Sequence, residues 1–202
     1  RACDAHYGFD PQKNRAVIEA AQANGLPHVS DVPLQPLHAD SFGVGLIAAS
    51  VIGHGARDIT LFVGGSASTD GGTGLLRALG VRFLDAEGVE LAAGGGELVR
   101  LSTIDLSGLI AGARETKWSV AVDVTNPLLG TEGAACVFGP QKGATTSDIA
   151  VLDAGLTQLA AVLSQTAAAS DRGFSAARLA ALPGMGAAGG IAVGLVGLFG
   201  AQ

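Results

Sequence analysis

The order of apolar and polar positions along the chain predicts strands that alternate with helices. Residues 4–9 and Arg15–Glu19 form two short strand patterns joined by the polar turn DPQKN. Residues 58–63 and 117–122 are nearly continuous apolar runs, which are typical of strands covered on both faces. The stretch VRFL predicts a further strand, and AACVF, within an otherwise irregular segment, indicates another short one.

Apolar residues at helical spacing predict the helices between these strands. One helix begins after Asp40 or Ser41 and ends near Gly53. The longest is capped by Thr146 or Ser147. Its apolar positions recur every three or four residues and predict a buried stripe of Ile149, Leu152, Leu156, Leu159 and Leu163.

This alternation favours an α/β fold with a mixed, mostly covered sheet and flanking helices. The 202 residues suit a single domain that spans positions 1–202. With 48% hydrophobic residues, intrinsic disorder is excluded. A formal net charge of −6 argues against a nucleic-acid partner, because such proteins use dense Lys and Arg to bind phosphates.

The last 24 residues, after Arg178, carry no charged side chain and imitate a membrane span. Pro183 and seven glycines dilute their hydrophobicity, so we expect a buried helix and no membrane partner. Cys3 and Cys136 lack metal-ligand spacing and are interpreted as free thiols of a reducing compartment. No signal-peptide pattern opens the chain, and we therefore expect a cytoplasmic location.

A glycine-rich turn at residues 64–72 follows one predicted strand and precedes a helix. Backbone N–H groups at such a turn bind phosphate or carboxylate, and Gly64 and Gly65 permit a ligand to approach closely. Ser66 adds a hydroxyl group, and Asp70 adds a carboxylate at the head of the helix. The alternative is structural, in which the glycines only form a tight turn and Asp70 only caps the helix.

A second group of polar residues follows the strand at 117–122. Asp123 lies at the carboxyl end of that strand, where ligands of α/β proteins collect, and Asn126 begins a turn. Further along, Gln141 and Lys142 stand in the turn GPQKG, whose proline and glycines restrict the backbone. Lys142 is therefore either a ligand-binding cation or a solvated loop charge.

The four histidines share no motif and no helical spacing. We expect His6, His28, His38 and His54 to lie in loops or at the surface.

Three segments together resemble the type I bacterial glycerate kinases. They are GGSASTDGGTGLLRALGVRFLD, DVTNPLLGTEGAACVFGPQKGAT and PGMGAAGGIAVGL. The earlier stretches AVIEAAQANGLP and SFGVGLIAAS fit the family pattern in the same order. The combination of GGSxxxDGG with FGPQKGAT is specific, and the resemblance covers nearly the whole chain.

The resemblance implies a kinase that uses ATP and Mg²⁺ to phosphorylate a hydroxyl group of D-glycerate. It also implies two α/β domains with the active site between them, of which this chain resembles the inserted one. The family's two terminal segments, which form a Rossmann-like domain, are absent, and the chain begins at Arg1. We therefore expect a fragment that is inactive alone, and homo-oligomerisation is left open.

Within this resemblance, Asp70 and Asp123 are the catalytic candidates, and one of them would bind Mg²⁺. The resemblance leaves undivided which is the base and which the metal ligand, and whether the 2- or the 3-hydroxyl reacts. Thr69 and Thr125 replace residues that are often Asn and Asp in the family. The binding candidates are Gly64, Gly65, Ser66, Thr69, Asn126, Gln141 and Lys142. The alternative function is a noncatalytic module that holds a small anion at the 64–72 turn.

Overall fold

A four-stranded mixed sheet forms the centre of the fold. The computed structural model of the chain describes residues 2–166, 169 and 171–202. In chain order, the strands are β1 (Tyr7–Asp10), β2 (Arg15–Glu19), β3 (Asp58–Phe62), β4 (Arg82–Leu84), β5 (Thr103–Asp105) and β6 (Lys117–Ala121).

Helices connect and cover these strands. The described α-helices are α1 (Ala21–Asn24), α2 (Phe42–Gly53), α3 (Thr73–Ala78), α4 (Ala134–Phe138), α5 (Thr146–Gln165), α6 (Ala176–Ala181) and α7 (Ile191–Phe199). Short 3₁₀ turns occupy Leu26–Val29, Gly95–Arg100, Pro140–Lys142 and Ala187–Gly190.

The strand order of the main sheet is β1-β2-β3-β6. β1 pairs antiparallel with β2, whereas β2, β3 and β6 are parallel, with Ile18 opposite Leu61 and Leu61 opposite Val120. The carboxyl ends of three strands therefore meet at one edge of the sheet. β4 and β5 form a separate antiparallel pair.

Burial alternates along the strands of the main sheet. Ile18, Ile59 and Leu61 are almost completely buried, whereas the neighbouring Val17 and Phe62 are 42% and 47% exposed. The expected α/β fold with helices flanking a mixed sheet is confirmed. The expectation that β3 is covered on both faces is wrong for this chain, because only alternate side chains are buried.

Two local predictions from the sequence are wrong. AACVF is helix α4 and not a strand: Gly133 is its N-cap, and the helix-favouring Ala134 and Ala135 are buried. The cap of α5 is Thr145 and not the residue after it, because Thr145 and Asp148 form a reciprocal capping box. Strand β5, Thr103–Asp105, was not predicted from the sequence.

The C-terminal segment contains a buried helix, as predicted. All but the last residue of α7 are buried, and Phe199 at its end stacks on Trp118 of β6 at 5.9 Å between ring centroids. Among the helices described, α5 is long and apolar enough to cross a membrane. Its predicted stripe of leucines is fully buried in the core, and Ile149 is partly exposed.

Candidate functional site

A small cavity of about 190 Å³ opens at the carboxyl edge of the sheet. Its lining comes from the turns after β3 and β6, from the Pro140–Lys142 turn and from the loop before α7. The lining residues are Val63, Gly64, Gly65, Ser66, Asp123, Val124, Phe138, Gln141, Lys142, Ala187 and Ala188. This is the edge where ligands of parallel sheets bind, because loops and helix starts converge there.

The turn after β3 is shaped by its backbone. Gly65 has φ +72°, a left-handed conformation that glycine adopts without steric cost. Its carbonyl oxygen accepts a 3.0 Å hydrogen bond from Leu26, and Ser66 forms an isolated bridge with Gly25. Ser66 is thereby held in extended backbone, with its buried hydroxyl group at the cavity.

Among the described residues that line the cavity, Lys142 is the one with a basic side chain. Its side chain is 2% exposed overall. The Nζ atom donates a 3.1 Å hydrogen bond to Ser66 Oγ and a second hydrogen bond to the Ser68 carbonyl oxygen. Within the part of the chain that the structure describes, no carboxylate forms an ion pair with it. The solvated loop charge that the sequence left open is therefore excluded.

Burial lowers the pKa of Lys142 from 10.5 to about 8. The Asp70 charge opposes this shift. A buried ammonium without an ion-pair partner is unfavourable, because the more distant Asp70 charge offsets its desolvation only in part. An anion in the cavity would supply that charge.

Asp70 is fully buried beside this cavity and does not line it. Its Oδ2 accepts hydrogen bonds from the N–H and hydroxyl groups of Ser41, at 2.9 and 2.8 Å, and from Gly74 N–H at 3.0 Å. Its Oδ1 accepts from Ser68 Oγ and Gly72 N–H, both at 3.2 Å. The carboxylate therefore joins the start of α2 to the site turn and the start of α3.

Five donors occupy the Asp70 carboxylate, and this geometry does not support the expectation that it binds metal or accepts a proton. The purely structural alternative is also incomplete, since Gly72 and not Asp70 is the N-cap of α3. The hydrogen bonds of Asp70 to Gly72 and Gly74 satisfy N–H groups at that helix start.

Asp123 differs from Asp70 in its exposure, its position and its contacts. It is exposed, it lines the cavity, and no hydrogen bond or ion pair connects its carboxylate to another described residue. Mg²⁺ commonly binds through one or two carboxylates together with substrate phosphates. Asp123 fits that requirement, although the described residues contain no group of three His, Cys, Asp or Glu that could hold a metal by themselves.

The remaining predicted residues divide between cavity and support. Gly64 and Gln141 are exposed and line the cavity. Asn126 lies outside it, and its amide donates a 2.8 Å hydrogen bond to the Glu132 carbonyl oxygen, which holds the turn after β6. Thr69 also lies outside the lining, 1% exposed, and its hydroxyl group has no hydrogen-bond partner among the described residues.

Sequence reasoning missed the loop before α7 as a cavity wall. Ala187 and Ala188 line the cavity, and Ala188 has φ +51°, which is uncommon for a residue other than glycine. The next residue, Gly189, packs so closely that a Cβ atom there would overlap the Ser68 carbonyl oxygen. The glycines of PGMGAAGG were the available signal, but small apolar residues carry no chemistry that marks a site.

Comparison with known proteins identifies the family of the chain. The glycerate kinase family model matches residues 1–202. Glycerate kinase of Halalkalibacterium halodurans is 39% identical over 199 residues, covering 98% of this chain and 50% of that protein. Glycerate 2-kinase of Escherichia coli (strain K12) has the same identity and coverage.

A solved structure agrees with these relatives. The crystal structure of a protein assigned as glycerate kinase 2 from Salmonella typhimurium LT2 superimposes with a TM-score of 0.88 and 41% identity. The match covers 98% of this chain and 51% of that one. The chain thus spans about half the length of the relatives it matches. With a family model that covers every residue, the chain belongs to the glycerate kinase family.

Proposed function

We propose that this chain forms the acid-binding part of the active site of an ATP-dependent D-glycerate kinase. The observation that carries the proposal is the buried, unpaired ammonium of Lys142 at a cavity sized for a small anion. The names of the relatives supply the substrate, since several are called glycerate kinases. A small carboxylic acid is what a cavity with one buried cation and a glycine turn can bind.

The ammonium group of Lys142 binds an anionic group, either the carboxylate of D-glycerate or a phosphate. Ser66 orients this ammonium through the 3.1 Å hydrogen bond. Gly64 and Gly65 let the anion approach the main chain closely. Charge-assisted hydrogen bonds of this kind are shorter and stronger than neutral ones, so they can fix the acid in one orientation.

Phosphoryl transfer needs positioning and charge neutralisation more than covalent participation by the protein. A hydroxyl oxygen of D-glycerate forms a bond to the γ-phosphorus of ATP, the bond to the bridging oxygen breaks, and ADP leaves with the electron pair. The hydroxyl proton is released. Mg²⁺, when bound, neutralises phosphate charge.

Asp123 is the carboxylate we assign to this chemistry, because its oxygens are unoccupied. Holding Mg²⁺ together with phosphate oxygens, or accepting the hydroxyl proton, therefore falls to Asp123 in this chain. Asp70 has a positioning role. Its bonds to Ser41 and Ser68 hold the turn from which the Ser68 carbonyl oxygen meets Lys142.

The test compares the 202-residue chain with a longer protein that contains it and matches the relatives in length. We expect the short chain to bind D-glycerate in isothermal titration calorimetry, without releasing ADP. The longer protein should release ADP when D-glycerate is present, and phosphorus NMR of the product identifies the hydroxyl that reacts. Glycerol, which lacks the carboxylate, is the control substrate and should not react.

Two results would contradict the proposal. Rapid D-glycerate-dependent ADP release by the short chain would show that it contains a complete active site. Binding of D-glycerate by both proteins without ATP consumption would favour the noncatalytic anion-binding module instead.

A further inference from the structure

A second cavity, of about 890 Å³, lies on the other side of the turn that follows β3. We call it the α1–α2 cavity. Its lining comes from residues 2–3, the end of α1, residues 25–31, the loop at residues 38–40, the first half of α2 and Ala67. None of the catalytic or binding residues predicted from the sequence lines it, and the proposed function does not use it.

The two cavities share one wall. Ser66 lines the small cavity and the next residue, Ala67, lines the α1–α2 cavity. Asn24, in the lining of the α1–α2 cavity, donates a 2.9 Å hydrogen bond to Ser68 Oγ. The carbonyl oxygen of the same Ser68 accepts from Lys142 in the small cavity. A ligand in each cavity would therefore approach the same short segment of backbone from opposite sides.

The cavities differ in size. Sites for drug-sized ligands typically measure about 300–1,000 Å³. The α1–α2 cavity lies within that range, whereas the small cavity, at about 190 Å³, has room only for a small molecule such as a three-carbon acid. Of two substrates of unequal size, the larger would therefore bind in the α1–α2 cavity and the smaller in the small cavity.

The cavities also differ in charge. Among the described residues, the lining of the α1–α2 cavity contains Asp31, Asp40, His28 and His38 and no Lys or Arg, so those residues provide two carboxylates and no permanent cation for a phosphate group. Carboxylates accept hydrogen bonds from hydroxyl groups, as acidic residues do from ribose in dinucleotide-binding folds. Asp40 is half-buried, and its Oδ1 accepts a 2.9 Å hydrogen bond from Phe42 N–H, which fixes the carboxylate at the start of α2.

An apolar surface faces the same cavity. Phe42 and Leu46 are four residues apart on α2 and therefore lie on one face of the helix, 41% and 54% exposed. Pro27 and Val29 contribute further apolar lining. An exposed aromatic ring beside aliphatic side chains binds planar heteroaromatic rings by stacking.

We propose that the α1–α2 cavity binds the nucleoside portion of ATP. The base packs on Phe42 and Leu46, the ribose hydroxyl groups donate to Asp40, and the phosphates extend over the Ser66–Ala67 wall toward Lys142. This inference rests on the proposed function for the identity of the nucleotide. The division of the two substrates between the cavities rests on their size, charge and shared wall.

The experiment titrates isotopically labelled 202-residue chain with adenosine and, separately, with D-glycerate, and follows backbone amide signals by NMR. Adenosine lacks phosphate, so it reports on the nucleoside site alone. We expect adenosine to shift the signals of Asn24, His38 and Phe42, and D-glycerate to shift those of Gly65, Ser66 and Gln141. Phe42→Ala and Asp40→Asn should each weaken adenosine binding at least tenfold and leave D-glycerate binding within twofold.

Val89→Ala provides the control, since Val89 is 59% exposed and outside both cavities. It should leave both affinities unchanged. Adenosine shifts confined to other residues, unchanged affinity in Phe42→Ala and Asp40→Asn, or no adenosine binding would each overturn the inference and leave the kinase proposal intact. Adenosine binding as expected, in a longer protein that never phosphorylates D-glycerate, would support the nucleoside site and refute the proposed function.

Discussion

Lys142 and Ser66 are separated by 76 positions in the chain, yet the ammonium of Lys142 donates a 3.1 Å hydrogen bond to the Ser66 hydroxyl group. One residue comes from a 3₁₀ turn after α4 and the other from the turn after β3. Both residues line the small cavity, and Lys142 is almost completely buried there. The site's cation is therefore positioned by the tertiary fold, and this makes its properties measurable in several ways.

Lys142→Met should weaken D-glycerate binding. The substitution keeps an apolar stem but removes a charge-assisted hydrogen bond, which contributes about 1.5–3 kcal/mol. We expect a loss of affinity of roughly tenfold to a hundredfold by calorimetry. Lys117→Met, at an exposed position of β6, is the matched control and should change nothing. If the Lys142 variant binds as tightly as the parent, the anion site is assigned to the wrong residue.

The contribution of Lys142 to stability should increase with pH between about 8 and 10.5. Burial lowers its pKa in the folded chain, so in this window the unfolded chain binds more protons and stability rises with pH. Below pH 8 the penalty of the buried ammonium is fully present. Urea unfolding of the parent and of Lys142→Met across this range should show a difference that moves in favour of the parent by on the order of 3 kcal/mol. A difference in unfolding free energy between the two proteins that does not change with pH would contradict the lowered pKa of Lys142.

Proton uptake on anion binding measures the pKa of Lys142 independently of stability. A bound carboxylate favours the charged ammonium and raises its pKa, so binding at pH 8.5 should take up protons from the buffer. Affinity for D-glycerate should fall as the pH rises through about 8. Calorimetry in buffers of different ionisation enthalpy measures the uptake, which should disappear in Lys142→Met.

Asp70→Asn should destabilise the fold. From the sequence alone, Asn would replace Asp well as a helix cap. The structure indicates otherwise, because the carboxylate accepts five hydrogen bonds, and an amide would direct its own N–H₂ group at the two donors of Oδ1 or the three donors of Oδ2. We expect a loss of about 2–4 kcal/mol in urea unfolding. A change below about 0.5 kcal/mol would show that the buried charge is dispensable.

Asp123→Asn, unlike Asp70→Asn, should lower activity and leave the stability of the fold unchanged. Asp123 is exposed and its carboxylate has no partner among the described residues, so stability should change by less than about 0.5 kcal/mol. In a longer, active protein, turnover should fall on the order of 10²-fold or more, the scale of charge-stabilising and acid–base groups. The dependence of the rate on Mg²⁺ concentration separates the two roles, because only loss of a metal ligand raises the Mg²⁺ requirement. Unchanged turnover would remove Asp123 from the site.

Gly189→Ala should disturb the site turn through packing alone. Gly189 has φ +70°, and an added Cβ atom would overlap the Ser68 carbonyl oxygen that accepts from Lys142. We expect a loss of at least about 1–3 kcal/mol in urea unfolding, together with weaker D-glycerate binding. Gly53→Ala is the matched control, because it lies in α2 with nothing within 4 Å of the added Cβ atom and should be neutral or slightly stabilising. Equal stability of both variants would show that the loop before α7 can yield.

The sequence predicted which candidate residues lie near one another better than it predicted their burial and hydrogen bonds. Nearly continuous apolar runs identified β3 and β6. The residues that follow these strands, Gly64 to Ser66 and Asp123, line one cavity because parallel strands end at the same edge of the sheet. The burial of Lys142 was not predictable from its neighbours. Its ammonium group contacts Ser66 and Ser68, which lie 76 and 74 positions earlier in the chain, and no local pattern connects them.

The same limit applies to Asp70. Its position before α3 suggested a cap or a ligand, but its partner Ser41 lies 29 positions earlier, and no local pattern connects them. The helix at AACVF was missed for a related reason. Five apolar residues between glycines fit a strand or a helical turn equally well, and the burial of Ala134 and Ala135 decides between them.

Because the wall around Ser68 is assembled from distant segments, it exists only in the folded chain. In the proposed function D-glycerate binds this folded wall and not the unfolded polypeptide, so its binding free energy would add to the free energy of unfolding. At a concentration one hundred times its Kd, a ligand of this kind raises the unfolding free energy by about 2.7 kcal/mol. The proposed substrate would then also be a folding ligand, and the melting temperature of the protein should rise with its concentration.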